Sequence, residues 1–288
     1  MAVVNTNIAA SIAQAALSRN ERELGTAMEQ LSTGRKINSA ADNASGLAIS
    51  SRMTAQIRGL DQAVRNANDA VSMVNTAEGA LDEITDMLQR IRELAVQSGT
   101  GTTDSADRTS LNQEFLALVA EIDRIAENTQ WNGRNILNGT GPGGTTSTVA
   151  FQVGSDPKQT ISLSFGNFTD ATGKVMGSLA AAATTLSAAT APLGITNAST
   201  VMVMSDLAIE AVSSQRAKFG AVSNRLEHAI DNLTNVKTQA EASRSRILDT
   251  DYAAATSELA KTQIIQQAGT AMLAQANALP ATVLALLQ

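Results

Sequence analysis

The chain has 288 residues, a formal net charge of −6 and no cysteine. The missing thiols exclude a disulfide framework, a zinc finger and a cysteine nucleophile, and without a basic block no nucleic-acid partner is expected. Hydrophobic residues make up 43% of the chain but aromatics only 2%, a balance that favours closely packed helices over a bulky globular interior.

The chain opens on MAVVNTN, which lacks a basic n-region and a continuous apolar run. No cleaved secretory signal is expected, although export without one remains compatible. Residues 7 to 34 read as a helix, with Ala10, Leu17, Leu24 and Leu31 recurring every seven residues. Ser32, Thr33 and Gly34 break it. The polar run from Lys36 to Asn43 favours turns and caps and reads as a connector.

A long helix is expected from about Ala44 to Ser98. Met53, Ile57, Leu60, Val64, Ala67, Val71 and Val74 alternate steps of four and three. The phase slips near Glu78 and resumes on Leu81, Ile84, Leu88 and Ile91. Such a helix would be roughly 80 Å long. After Gly99 to Thr103 a second helix runs from about Ser105 to Asn128, on Leu111, Phe115, Leu118, Ile122 and Ile125. The short turn between the two implies an antiparallel pair.

Trp131, Asn132 and Gly133 open a stretch read as irregular, and Gly139 to Thr146 reads as a flexible loop. Val149, Phe151 and Val153 alternate, as do Ile161, Leu163 and Phe165, which predicts a β-hairpin. Asn167 to Leu193 is low-complexity. Helix returns from about Ser199 to Ser245, with Phe219, Val222, Leu226, Ala229, Leu233, Val236 and Ala240 on one seam. The polar run Arg244 to Asp251 mirrors the first connector, and a final helix follows. This palindromic order predicts a rod with both termini at one tip.

The first and last stretches share one character. Met1 to Ser18 and Thr262 to Gln288 contain no charged side chain. In the last, Ile264, Ile265, Met272, Leu273, Leu279, Val283, Leu284 and Leu287 spread around every face of a helix, the pattern of a buried helix. Gln, Asn, Gly and Pro interrupt it too often for a membrane span. The two ends are expected to pair, and copies from other chains are expected to complete their cover.

Catalytic chemistry finds no support. His228 is the only histidine, lies off the seam and is expected at the surface. Asp249 and Asp251 suit capping of the last helix better than a metal site. The glycines at 139–144 lack a Gly-Lys-Ser/Thr ending, so they form no phosphate loop. No nucleophile–base pair, cofactor site or metal cluster is predicted, and the chain is not expected to be an enzyme.

LSTGRKINSAADNASGLAIS (31–50), RNANDAVSMVNTAEGAL (65–81), LQRIRELAVQS (88–98) and KTQIIQQAGTAMLAQAN (261–277) closely resemble bacterial flagellin, in order at both ends. The segment 139–194 is far too short for the outer domains of the long flagellins. The resemblance implies a mainly α fold: a long antiparallel coiled-coil rod, paired terminal helices and a small β-hairpin region. It implies a terminal domain of 1–43 plus 249–288 lining the inner tube, a rod of 44–138 plus 195–248, and a variable 139–194. The polymerisation core would comprise Ile8, Ile12, Leu17, Leu24 and Leu31 together with the eight residues of the final helix just named.

The resemblance further implies a self-assembling homopolymer, the flagellar filament of swimming motility. It implies type III export without a cleaved signal and an extracellular location with no membrane insertion. The partners it implies are an export chaperone at the C-terminal helices, the filament cap, the hook-junction proteins and a host Toll-like receptor. The receptor would read the rod face at Arg90, Leu94 and Glu114. The rival reading is a hook–filament junction or related secreted flagellar adaptor, whose end helices and heptads are similar. The matches at 31–50 and 88–98 favour the filament subunit.

Overall fold

The computed structural model describes residues 7–139, 148–169 and 195–285, except the side chains of 195–197 and 279–285. Five helices and two small two-stranded sheets make up these residues: α1 (Ile8–Thr33), α2 (Ala40–Ser98), α3 (Ser105–Asn128), β1 (Gln130–Trp131), β2 (Arg134–Asn135), β3 (Thr148–Gln152), β4 (Thr160–Ser164), α4 (Ile195–Leu248) and α5 (Tyr252–Ala285). The chain divides into two compact units, one of Met1–Ile57 with Thr238–Gln288, the other of Arg58–Lys237. These boundaries lie further into the long helices than the connectors do, and the hairpin falls inside the second unit.

The helix ends follow from their sequences. The side chain of Asn7 caps α1 by accepting from Ala10 N at 3.1 Å. Gly34, at φ 69°, closes α1 in the left-handed conformation that only glycine adopts freely. The predicted start of the long helix at Ala44 matches a kink: Asn43 has φ −164° and ψ 96°. Its carboxamide oxygen accepts from Gly46 N at 2.8 Å, so Asn43 is a second N-cap inside α2. A capping box of Asp104 and Asp107 starts α3. Asp251 caps α5 by accepting from Ala253 N at 2.9 Å.

In the second unit α2 and α4 run antiparallel. Three ion pairs, Asp61–Lys237, Asp82–Arg216 and Arg92–Asp206, join them at equal steps along both helices. The buried seam of α2 passes through Leu60, Ala63, Ala67, Ala70, Val74, Ala77, Leu81, Ile84, Leu88, Ile91 and Ala95. It alternates threes and fours without the slip expected near Glu78. The expected slip came from following the larger Val64 and Val71, whereas the alanines beside them are the wholly buried residues and let the partner helix approach closely. On α4 the seam continues from Phe219 back through Gln215, Val212, Ala208, Ser205 and Val201. Its two polar members are satisfied: Ser205 donates to Val201 O at 2.9 Å, and Gln215 donates to Ser164 O at 2.5 Å.

β3 and β4 pair antiparallel, with Phe151 opposite Ile161 and Val149 opposite Leu163. Ile161, Leu163, Phe165 and Phe168 join the same core as α2, α3 and α4, and the Phe165 ring lies 5.4 Å from that of Phe219. β1 and β2 form a second, minimal hairpin in the stretch expected to be irregular. Its turn residues Asn132 and Gly133 both have positive φ, 50° and 73°, the signature of a type I′ turn. The low-complexity expectation beyond Thr169 and the loop expectation from residue 140 lie outside the described residues.

Candidate assembly surface

In the first unit α1 and α5 pack against each other antiparallel. Polar bonds tie the pair at intervals. Asn7 donates to Ala276 O and Asn20 to Thr262 O, both at 2.8 Å. At the connector end Lys36 N donates to Leu248 O at 2.6 Å, and Thr250 N donates to Gly34 O at 3.1 Å. The two polar connectors thus pair as a short ladder, with Arg35 opposite Asp249.

The rows that meet are small residues and leucines. Ala13, Asn20 and Ala27 recur every seven residues on α1, as do Ala255, Thr262, Gly269 and Ala276 on α5. Leu17, Leu24, Leu31 and Leu273 are half-buried. What the pair leaves uncovered is equally apolar. Ala9, Ala13, Ala16 and Gly269 floor a groove of about 470 Å³, and Ile12, Leu17, Ile265 and Met272 wall it. Ile12, Met272 and Ile264 are 65%, 65% and 66% exposed, and Ile8 is exposed beside them. Leu279, Val283 and Leu284 lie on α5 but outside the described side chains, and Leu287 lies outside the described residues. No charged side chain falls within 1–18 or 262–288, so no ion can satisfy this surface.

The other predicted surface is on the second unit. Arg90 Nη2 lies 2.8 Å from Glu114 Oε1, and Arg90 Nη1 lies 3.0 Å from Glu93 Oε2. The Glu114 hydrogen bond, then that of Glu93, holds the guanidinium above its ordinary range. All three side chains are exposed. Leu94, one turn beyond Arg90, is wholly buried in the core between the helices and is not part of the exposed surface where it was expected. His228 is exposed, as expected. Among the described residues no cluster of ionisable side chains could hold a metal, and no helix is long and apolar enough to cross a membrane.

Comparison with known proteins gives concordant matches. The model of the bacterial flagellin N-terminal helical region matches residues 4–141, and that of the C-terminal helical region matches 202–287. The chain is 45% identical to a flagellin of Halalkalibacterium halodurans over 99% of its own length and 100% of that protein. It is 44% identical to a flagellin of Bacillus subtilis, covering 99% of each. Flagellin A of Vibrio cholerae matches at 36% identity, again over 99% of both chains.

Proposed function

The chain belongs to the bacterial flagellin family, a structural and non-enzymatic subunit of the extracellular flagellar filament, and from that premise we propose that the α1/α5 pair is where one copy meets the next. The observation that carries this is the charge-free apolar groove, whose wall residues Ile12 and Met272 stand mostly in water in the single chain. Covering a large aliphatic is worth about 1.5–3 kcal/mol, and a neighbouring subunit of the filament can supply that cover. The remaining members of the set, Ile8, Leu24, Leu31, Ile264, Ile265 and Leu273, together with Leu279, Val283, Leu284 and Leu287, extend the same contact. The test is seeded growth. Ile12→Asp combined with Met272→Asp should leave a helical monomer that cannot elongate filament seeds; elongation at the unsubstituted rate would overturn the proposal.

The uncharged stretch of α5 beyond Lys261 is the segment an export chaperone would shield before assembly, and the filament tip and hook base would offer the cap and junction proteins the same surface. For a Toll-like receptor we propose the exposed Arg90–Glu114 pair; the wholly buried Leu94 would contribute to the core and not to the contact. Arg90→Ala in the folded monomer should lower receptor signalling, and unchanged signalling would remove the assignment.

A further inference from the structure

We propose that Met272 is an oxidation switch: conversion of its thioether to the sulfoxide in the free subunit stops that subunit from joining a filament. This rests on the reading that the α1/α5 groove is the contact between copies, and it adds how that contact is regulated. The chain has nine methionines. Among the described side chains only Met28 and Met272 are exposed, at 56% and 65%. Met73 is 2% exposed, and Met53, Met87, Met202 and Met204 are half-buried. Peroxides and hypochlorite reach a methionine sulfur through solvent, so the two exposed residues should react first.

With hydrogen peroxide the sulfur lone pair takes one peroxide oxygen and the O–O bond breaks. The other oxygen leaves as water after a proton transfer. Sulfur loses two electrons and the peroxide gains them. The product is a polar, chiral side chain in place of a flexible apolar one.

The two exposed sites differ in what the new oxygen meets. The other residues lining the groove of Met272 are Ala, Ile, Leu and Gly, and none of them has a side-chain donor. A sulfoxide oxygen covered there by a neighbouring copy loses its water and gains no side-chain partner. That penalty weakens joining about tenfold or more. Met28 lies outside both charge-free ends and does not line the groove, so its oxidation leaves the groove as it was. The device acts before assembly and sorts subunits. An oxidised copy stays in solution, and enzymatic reduction of the sulfoxide returns it to the assembling pool.

The test treats monomer with hydrogen peroxide, quenches it, maps each methionine by peptide mass spectrometry and offers the protein to untreated seeds. Circular dichroism checks that the treated monomer stays helical. The unsubstituted chain, Met28→Leu and Met272→Leu are each read against their own untreated growth. Met28 and Met272 should gain one oxygen ahead of the other described methionines. Growth of the unsubstituted chain and of Met28→Leu should fall about tenfold or more, while Met272→Leu keeps the rate it had before treatment. Methionine sulfoxide reductases for both epimers, with a thiol reductant, should restore the treated unsubstituted chain. Undiminished growth with Met272 mapped as sulfoxide overturns the proposal, and so does an equal loss in Met272→Leu. Should Met272→Leu fail to grow before treatment, the time course decides. Lost growth that follows Met272 oxidation and returns on reduction supports the switch; loss that follows another methionine overturns it. Ile12→Asp with Met272→Asp separates this result from the reading beneath it. If that variant cannot elongate seeds but the Met272 sulfoxide can, the groove remains the contact and only the switch is lost. If both elongate, the contact itself lies elsewhere.

Discussion

Arg90 and Leu94 stand one turn apart on α2 and have opposite environments. The arginine is exposed and paired with Glu114 and Glu93; the leucine is 0% exposed. Truncating the leucine leaves a cavity in a core held by three helices, and Leu94→Ala should cost about 2–5 kcal/mol in denaturant unfolding. Arg90→Ala removes only ion pairs screened by water and should leave the unfolding midpoint unmoved. Equal losses from both would show that the guanidinium carries structural weight that its exposure denies. Asp42 gives a pH test at the same scale. Backbone N–H donation from Ser39, then from Asn38, holds its carboxyl below the ordinary value of 3.8. A depressed folded value means that the contribution is complete above pH 3.8 and is lost as the pH falls through the lower, folded one. Asp42→Ala should therefore reduce stability at neutral pH while shrinking the further loss seen below about pH 4; an unchanged acid response in the variant would show that this carboxylate is not what titrates.

The hairpin shows how far an element can exceed its sequence description. Its alternation was legible, and the strands form where Val149 to Val153 and Ile161 to Phe165 place them. That it is part of the core was not legible, because a strand's period says which residues share a face and not what the face meets. The structure puts Leu163, Phe165 and Phe168 among α2, α3 and α4. Phe165→Ala should thus cost about 3–5 kcal/mol, the amount for a large buried aromatic. A cost under about 1 kcal/mol, typical of surface sites, would make the hairpin an appendage after all. Two other elements were misread for identifiable reasons. Asn132-Gly133 is the strongest short hairpin signal, but strands of two residues carry no alternation to accompany it. The slip near Glu78 arose from ranking Val71 above Ala70, and in a tightly packed helix pair the smaller residue takes the central place. Helix limits were read within a few residues, since Asn7, Gly34, Asn43, Asp104 and Asp251 announce them by chemistry.

At the scale of the molecule the two units differ in how much of their apolar surface a single chain can cover. The unit of Arg58–Lys237 has a continuous core with wholly buried Leu, Ile and Phe residues. In the other, α5 buries only Ala255, Thr262 and Ala276 among its described side chains, while Ile264, Ile265 and Met272 remain exposed. Local stability follows buried contacts, so amide exchange in Thr262–Ala278 should be fast in the monomer and slow in the filament. The exposed parts of these three side chains represent roughly 3–5 kcal/mol of further burial on assembly, before the ordering and association costs are set against it. Removing Thr262–Gln288 takes away the α5 side of the groove and the uncharged C-terminal stretch, yet touches no residue of the second unit's core. The truncated chain should then keep the helicity of that core, sediment as a monomer at concentrations where the full chain polymerises, and fail to elongate intact seeds. Circular dichroism and sedimentation in the presence of seeds measure all three. Elongation by the truncated chain would place the driving contact elsewhere, and loss of most of the helix would show that the second unit depends on α5 despite its own closed core.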